Sequence, residues 1–191
     1  MFESDAFSKR EKALEDEFFY RVDENLRAEL RRSMARERSR EALAEATGLT
    51  DPELLDALFE SGFQTTTLAA LALVPAIFVA WADDNADELE CETIVKEAKK
   101  RGISEDGLAL QMLEKWLKKR PPRSLWETWK RYAHCVGESL SDSASGVLSS
   151  EVLRIATAVA DASGGVLGFG KISKEEQAVL DEIKEALEFR F

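Results

Sequence analysis

The chain has 191 residues, of which 45% are hydrophobic and 33% are charged, and its formal net charge at pH 7 is -11. A chain of this length can bury a substantial core, and its 10 glycines and 4 prolines favour a mostly helical domain. The negative charge excludes general affinity for nucleic acid, because binding to phosphates needs concentrated positive charge. We therefore expect proteins or cations as partners.

Cysteine usage and the N-terminus bear on the compartment. Cys91 and Cys135 lie far apart without a second ligand nearby, so neither a disulfide framework nor a zinc site is indicated. Residues 1–5 lack the basic and apolar regions of a signal peptide, and we expect no export. These features predict a cytoplasmic protein.

The first 46 residues form a charged arm. Charges of both signs are interspersed and no Gly or Pro occurs before Gly48, a pattern that predicts one long helix. Apolar residues recur there every four positions: Leu14, Phe18, Val22, Leu26, Leu30 and Met34. This spacing differs from a heptad, so we expect the arm to cross another surface obliquely instead of forming a long coiled coil. That surface belongs to the same chain or to another chain, so both a monomer and a homo-oligomer are compatible with the pattern.

About seven helices are predicted in all. A capping box at residues 50–53 starts a short helix that ends near Phe59. The apolar run 68–82 predicts a core helix bent at Pro75, and its fifteen residues are too few for a membrane span of about 20. Later helices are predicted over 87–100, from Ser104 to the prolines at 121–122, from Ser124, over 152–160 after a Ser-rich link at 139–150, and from Ser173.

One unit occurs twice. An apolar helix ends in Ala-Asp, a loop follows, and a new helix opens with a capping residue three positions before a Glu. The first copy is Ala82-Asp83 with Asp87 and Glu90, and the second is Ala160-Asp161 with Ser173 and Glu176. These acidic corners predict two matching bends that pack together in one bundle, an arrangement more typical of a binding module than of a catalytic centre.

The first acidic corner is a candidate cation site. Asp83, Asn85 and Asp87 stand at positions one, three and five of an EF-hand loop, but the turning Gly and the bidentate Glu of that loop are absent, which excludes an EF-hand. A looser Ca or Mg site formed by Asp83, Asp87 and Glu90 remains open. Alternatively, Asp87 and Glu90 only cap their helix and Asp83 is a solvated turn residue.

The sequence predicts no catalytic centre, and we expect no enzyme activity. The only histidine, His134, adjoins Cys135 on a helix, where neighbouring residues face different directions, so a Cys-His pair is geometrically poor. The loop at 165–171 has the glycine spacing of a phosphate-binding loop, but it is followed by Ile172 and preceded by a helix. We expect its apolar side chains to tuck into the core or to face a partner.

Residues 115–132 combine positive charge with aromatic rings. The cations are Lys115, Lys118, Lys119, Arg120, Arg123, Lys130 and Arg131, and the rings are those of Trp116, Trp126 and Trp129. Such a patch is compatible with docking of an acidic segment or an anionic lipid, and so with peripheral membrane association. The alternative places the Trp rings in the core and the cations outside.

Two resemblances add to this interpretation. Residues 79–90 followed by Ile94 resemble the A-D-G-x-[IV]-D-x-x-E-x-x-x-[IL] motif of TerB-like (tellurite-resistance) domains, and residues 160–176 are similar to the acidic motif that ends them. Across 65–190 the resemblance implies an all-helical bundle without enzyme activity, linked to stress response and membrane-associated complexes. Its implied divalent-cation ligands are Asp83, Asp87, Glu90, Asp161 and Glu176. In this sequence Asp84 replaces the usual Gly, Ser173 stands where an acid is common, and a glycine-rich insertion lengthens the second loop.

The arm gives the second resemblance. Residues 7–15, with Phe18 and Arg31-Arg32, are similar to the opening of the zeta-type inhibitor subunit of bacterial ATP synthase. We therefore predict a charged arm with a short linking helix at 1–62 and a TerB-like domain at 63–191. The predicted function is a helical module that binds a protein partner; the alternative is a regulatory subunit whose arm inhibits an ATPase.

Overall fold

The computed structural model describes the backbone of residues 3–162 and 172–188, and the side chains of residues 24, 26–162 and 172–188. Every regular element in these ranges is helical, which confirms the predicted all-α fold. The elements are α1 (Glu3–Thr47), α2 (Pro52–Glu60), a 3-10 helix (Leu68–Leu73), α3 (Val74–Ala80), α4 (Glu88–Lys100), α5 (Leu108–Lys118), α6 (Arg123–Ser139), α7 (Asp142–Ala160) and α8 (Lys174–Ala186).

The arm is one continuous helix of 45 residues, as predicted. It ends before Gly48, whose φ of 72° lies in the left-handed region that glycine adopts without strain. Near this end Leu43 is fully buried, and Arg36 reaches Asp56 at 3.2 Å and Glu60 at 2.9 Å. The packing of α1 on α2 therefore joins the arm to the domain.

The predicted bent helix over 68–82 is wrong in one respect. The segment begins as the 3-10 helix, and Pro75 lies in the first turn of the separate helix α3 instead of at a bend inside one helix. The first turn tolerates proline because its amides have no partner within the helix. All seven residues of α3 are buried, so this short helix lies at the centre of the bundle.

The predicted Ser-rich link at 139–150 is also wrong over most of its length. Helix α7 begins at Asp142, and the Ser141 hydroxyl caps it by accepting from the Ala144 amide at 3.4 Å. The hydroxyls of Ser145 and Ser150 donate to carbonyls of the same helix. Serine is therefore accommodated in this helix because its hydroxyl has an acceptor one turn earlier.

Two predicted helix starts lie elsewhere. Helix α5 begins after Gly107 and not at Ser104, and α6 begins at Arg123 with Pro122 as its N-cap residue. Ser124 and Glu127 have the spacing of a capping box, but no box forms, because Ser124 lies inside the first turn and Glu127 pairs instead with cations of α6. Proline fixes the backbone for a helix start but offers no side-chain acceptor.

A single cluster of buried apolar side chains joins the helices, and Leu54 and Leu58 of α2 belong to it. Trp126 stacks on Trp129 with 5.1 Å between ring centroids, and Trp116 is buried as well. The tryptophans of the basic, aromatic patch therefore lie in the core, as the second interpretation of that patch predicts. Among the described helices, none has both the length and the apolar character that a membrane span requires.

Candidate functional site

The two acidic corners belong to one bundle. Helix α3 leads into the first corner and α4 leaves it, while α7 leads into the second and α8 leaves it. Helix α7 packs against α3, α4 and α8, and α3 also packs against α8. The prediction that the two bends pack together is confirmed.

The first corner is held by a reciprocal capping box. The Asp87 carboxylate accepts from the Glu90 amide at 2.8 Å, and Oε2 of Glu90 accepts from the Asp87 amide at 2.9 Å. The box satisfies two amides that a helix start otherwise leaves without partners. It also holds the Glu90 side chain against the start of α4.

The second corner has the same construction with a hydroxyl in place of a carboxylate. The Ser173 hydroxyl accepts from the Glu176 amide at 3.1 Å, and Oε2 of Glu176 accepts from the Ser173 amide at 2.6 Å. The capping boxes predicted at the two corners are therefore confirmed, whereas the one predicted at residues 50–53 is wrong, because Asp51 alone caps α2. Each box leaves Oε1 of its glutamate for another contact.

The glutamates of the two boxes meet. Glu90 and Glu176 are both buried, and their carboxyl groups lie within hydrogen-bonding reach of each other. Such a bond between two carboxyls requires a proton on one of them. Burial raises the pKa of Glu90 to about 7, and the neighbouring Asp87 and Glu176 carboxyls add to the rise. We call these two residues the glutamate pair; chemically it can hold or release one proton near neutral pH.

The other predicted ligands lie at the surface. Asp83 is exposed and accepts from the Asn85 amide at 3.1 Å, and Asp161 is the exposed C-cap residue of α7. In the parts of the chain that the structure describes, no group of three or more His, Cys, Asp or Glu side chains is arranged to hold a metal ion. Of the five predicted ligands, the structure thus brings Glu90 and Glu176 into direct contact, with Asp87 beside them; cation binding stays a prediction.

Asp84 in the first corner has an unusual backbone conformation and a contact just beyond the end of α5. Its φ of 68° is left-handed, a conformation that glycine adopts without strain and other residues rarely adopt. The Asp84 carboxylate pairs with Arg120 beyond the end of α5. Three positions before Asp84, the Trp81 indole donates to the Trp116 carbonyl at 2.8 Å. These contacts tie the first corner to the end of α5.

Sequence reasoning missed a third buried glutamate, Glu97 of α4. Its carboxylate accepts from Lys100 at 2.6 Å, Arg101 at 2.8 Å and Arg154 of α7 at 2.7 Å. Burial alone would raise its pKa, but these three hydrogen bonds outweigh burial and lower the pKa of Glu97 to about 2. Glu151 joins the cluster by pairing with both arginines. Only the local part, a Glu followed by Lys and Arg three and four positions later, was readable in the sequence.

A third feature is the exposed face of α1. Leu26, Leu30 and Met34 are 58%, 62% and 50% exposed and follow one another at intervals of four residues. We call them the arm stripe. The predicted side-chain pattern at 7–22 and the glycine-rich loop at 165–171 lie outside the described side chains, so their interpretation stays a prediction.

No protein-family model matches this chain, and comparison with curated proteins and with solved structures gives no match either. The resemblances to TerB-like domains and to the zeta-type inhibitor therefore stay predictions, as does the division into an arm at 1–62 and a domain at 63–191. Functional inference depends on the glutamate pair, the Glu97 cluster and the arm stripe.

Proposed function

We propose that this chain is a non-enzymatic helical interaction module whose arm binds an acidic protein partner. The observation that carries the proposal is the arm stripe. Three large apolar side chains in a row on one helix face differ from scattered exposed leucines, because a single partner can cover all of them. Removing one leucine side chain from water contributes about 1.5 to 3 kcal/mol.

The charge beside the arm stripe indicates the chemistry of the partner. Residues 27–40 contain six arginines and two glutamates, in a chain whose net charge is -11. At 3.6 residues per turn, Arg31 and Arg38 lie on the flank of the stripe. Both are exposed, and neither forms an ion pair with the described residues. A complementary partner surface is therefore apolar at its centre and acidic at its edge.

A second copy of the chain fits this face less well than a different, acidic protein. The stripe repeats every four residues, whereas two long helices that wrap around each other need alternating steps of three and four. An apolar groove or helix crossed obliquely by the arm has no such requirement. We therefore assign the arm stripe to an acidic partner with a groove or helix of this kind.

The test compares four forms of the full chain: wild type, Leu30→Glu, the double variant Arg31→Glu with Arg38→Glu, and Arg32→Glu. Each is used to capture proteins from cells of the native host, and captured proteins are quantified by mass spectrometry and then rebound in purified form. We expect one acidic protein whose affinity falls about tenfold or more with Leu30→Glu, since about 1.4 kcal/mol corresponds to tenfold. The double variant should weaken binding as well, and added salt should have the same effect.

Arg32→Glu is the matched control, because Arg32 lies on the opposite face of α1 from Leu30 and is exposed. It should leave binding unchanged. Equal capture by all four forms would contradict the proposal. Light scattering that shows a dimer disrupted by Leu30→Glu would replace the acidic partner with a second copy of the chain.

We also propose that the acidic corners bind Ca or Mg weakly. The support for this proposal is the glutamate pair, because a cation in place of the shared proton would balance the charge of two carboxylates that otherwise repel each other. Such binding requires release of the proton and should therefore strengthen as pH rises.

A further inference from the structure

An open cavity of about 390 Å³ lies where α2, α5 and α6 meet. Trp116, Pro121 and Leu125 supply buried apolar surface to its lining. The volume falls in the range of about 300 to 1,000 Å³ that small-molecule pockets have. We call it the α5–α6 cavity; neither the glutamate pair nor the arm stripe belongs to it.

The charged lining of this cavity is mostly positive. Lys115, Lys119 and Arg120 line it, and the one carboxylate of the lining, Glu60, pairs with Arg36 at 2.9 Å. Lys115 and Lys119 form no ion pair with any described residue. Two cations therefore face the cavity without a partner of opposite charge, in a chain whose net charge is -11.

The N-terminus of α6 adds further donors. This helix has 17 residues, and its N-cap residue Pro122 supplies no side-chain acceptor for the first turn. The amides of Arg123 and Ser124 have no acceptor within the helix, because the first amides of any α-helix precede its hydrogen-bond ladder. Pro122 and Ser124 line the cavity, so the positive end of the helix dipole is directed at it.

Thr128 supplies an independent observation. It is 6% exposed and lines the same cavity one turn after Ser124. Its hydroxyl makes no hydrogen bond with any described residue, whereas those of Thr47 and Thr93 donate to the carbonyl one turn earlier. Because the residue is buried while its unpaired hydroxyl stays accessible, an oxygen atom of a bound ligand can form a hydrogen bond with it.

We propose that the α5–α6 cavity binds a small organic phosphate. The phosphate group takes the amides at the start of α6, the Thr128 hydroxyl, and the charges of Lys115 and Lys119. An aromatic or apolar body lies against Trp116 and Leu125. This arrangement combines a doubly charged head group with a flat apolar part, and it does not involve the arm stripe or its partner.

Phenyl phosphate is the probe, titrated into the full chain labelled with ¹⁵N and followed by NMR. We expect saturable shifts of the Ser124, Leu125 and Thr128 amides. Inorganic phosphate should act on the same amides at higher concentration, because it lacks the aromatic body. Benzoate tests a carboxylate head group in place of phosphate and should bind more weakly, and benzyl alcohol, which carries no charge, should not bind.

Single substitutions locate the site. Lys119→Ala and Lys115→Ala should each weaken phenyl phosphate about tenfold, as expected for the loss of a charge-assisted hydrogen bond. Thr128→Val keeps the shape and should weaken it several-fold, with the amide spectrum unchanged elsewhere. Lys118→Ala is the matched control, since Lys118 is exposed on α5 and does not line the cavity.

Three results would overturn the proposal. These are absence of saturable shifts, equal weakening by Lys118→Ala and Lys119→Ala, and shifts spread over basic residues outside the cavity. Binding of benzoate as tight as that of phenyl phosphate would overturn the assignment of phosphate as the head group.

Discussion

Glu90 and Glu97 lie two turns apart on the same face of α4, and each is 4% exposed, yet their surroundings differ completely. Glu90 meets another carboxyl, and its pKa rises to about 7. Glu97 meets one lysine and two arginines, and its pKa falls to about 2. Equal burial thus accompanies pKa shifts in opposite directions, because the neighbours decide which form is stabilised.

The comparison separates two roles. The Glu97 cluster links α4 to α7 through Arg154 with charges that balance, as a structural ion cluster does. The glutamate pair brings the starts of α4 and α8 together, and a hydrogen bond between its two carboxyls requires a proton on one of them. Strongly perturbed carboxyls without a balancing cation are the more frequent mark of a functional site.

The largest effect is expected from Glu97→Gln. Removing one partner of a buried ion pair costs about 3 to 5 kcal/mol, and we expect the low end, about 3 kcal/mol, because Arg154 is half-exposed. Urea unfolding followed by circular dichroism measures the change. Glu92→Gln is the control, since Glu92 is exposed on the same helix, and it should change stability by about 0.5 kcal/mol or less.

The next effect is a change of folding stability with pH. Rising pH should remove the contribution of Glu90, and falling pH should remove that of Glu97. The native pKa of Glu90 exceeds its usual 4.5, so its contribution to stability is fully present below pH 4.5 and is lost as pH rises through about 7. The loss is on the order of 3 kcal/mol. Glu97 behaves conversely: its contribution is present above pH 4.5 and is lost as pH falls towards about 2.

Glu90→Gln tests the first half of that dependence. The amide can accept from Asp87 and donate to Glu176, as protonated Glu90 does, so the decline of stability between pH 5 and 8 should disappear. Unfolding free energies measured across this range would show it. Glu88→Gln, at an exposed position of the same turn, should keep the decline; an unchanged decline in Glu90→Gln would show that the glutamate pair is not its cause.

A smaller effect is expected from Ser173→Ala. Loss of an N-cap hydroxyl costs about 1 kcal/mol, because the Glu176 amide loses its acceptor. The glutamate pair should also loosen, which would lower the pH at which stability declines. Ser150→Ala is the control: its hydroxyl bonds only within its own helix, and thermal melts should show little change. Equal effects of the two substitutions would count against the capping box as the support of the pair.

The smallest effect is expected from divalent cations. A cation at a concentration equal to its dissociation constant stabilises the protein by about 0.4 kcal/mol. Thermal melts with Ca or Mg should show a shift at pH 8 that is smaller at pH 5.5. The double variant Asp83→Asn with Asp87→Asn should reduce this shift. Identical shifts in the wild type and the double variant would show that the cation does not bind at the acidic corners.

Features that depend on residues close together in the sequence could be predicted. Capping boxes are local, so the spacing of Asp87 and Glu90, and that of Ser173 and Glu176, was enough to predict both helix starts. The absence of Gly and Pro before Gly48 was likewise enough for the long arm. The start of α6 was not predictable in this way, because Ser124 and Glu127 match a capping box, whereas the helix begins at Arg123 with Pro122 as its N-cap residue.

The glutamate pair and the Glu97 cluster depend on contacts between distant residues. Glu90 and Glu176 are far apart in sequence, and only the packing of α3, α4, α7 and α8 brings them together. Arg154 reaches Glu97 across 57 positions. Repetition of the corner suggested one bundle, but neither the shared proton nor the buried cluster leaves a local pattern.

Carboxyl ¹³C NMR of the full chain, titrated from pH 2 to pH 9, tests the central claim most directly. The account predicts that the Glu90 carboxyl titrates near pH 7, while Glu97 stays ionised down to about pH 2. Midpoints for both Glu90 and Glu97 close to 4.5, the usual value for glutamate, would contradict it.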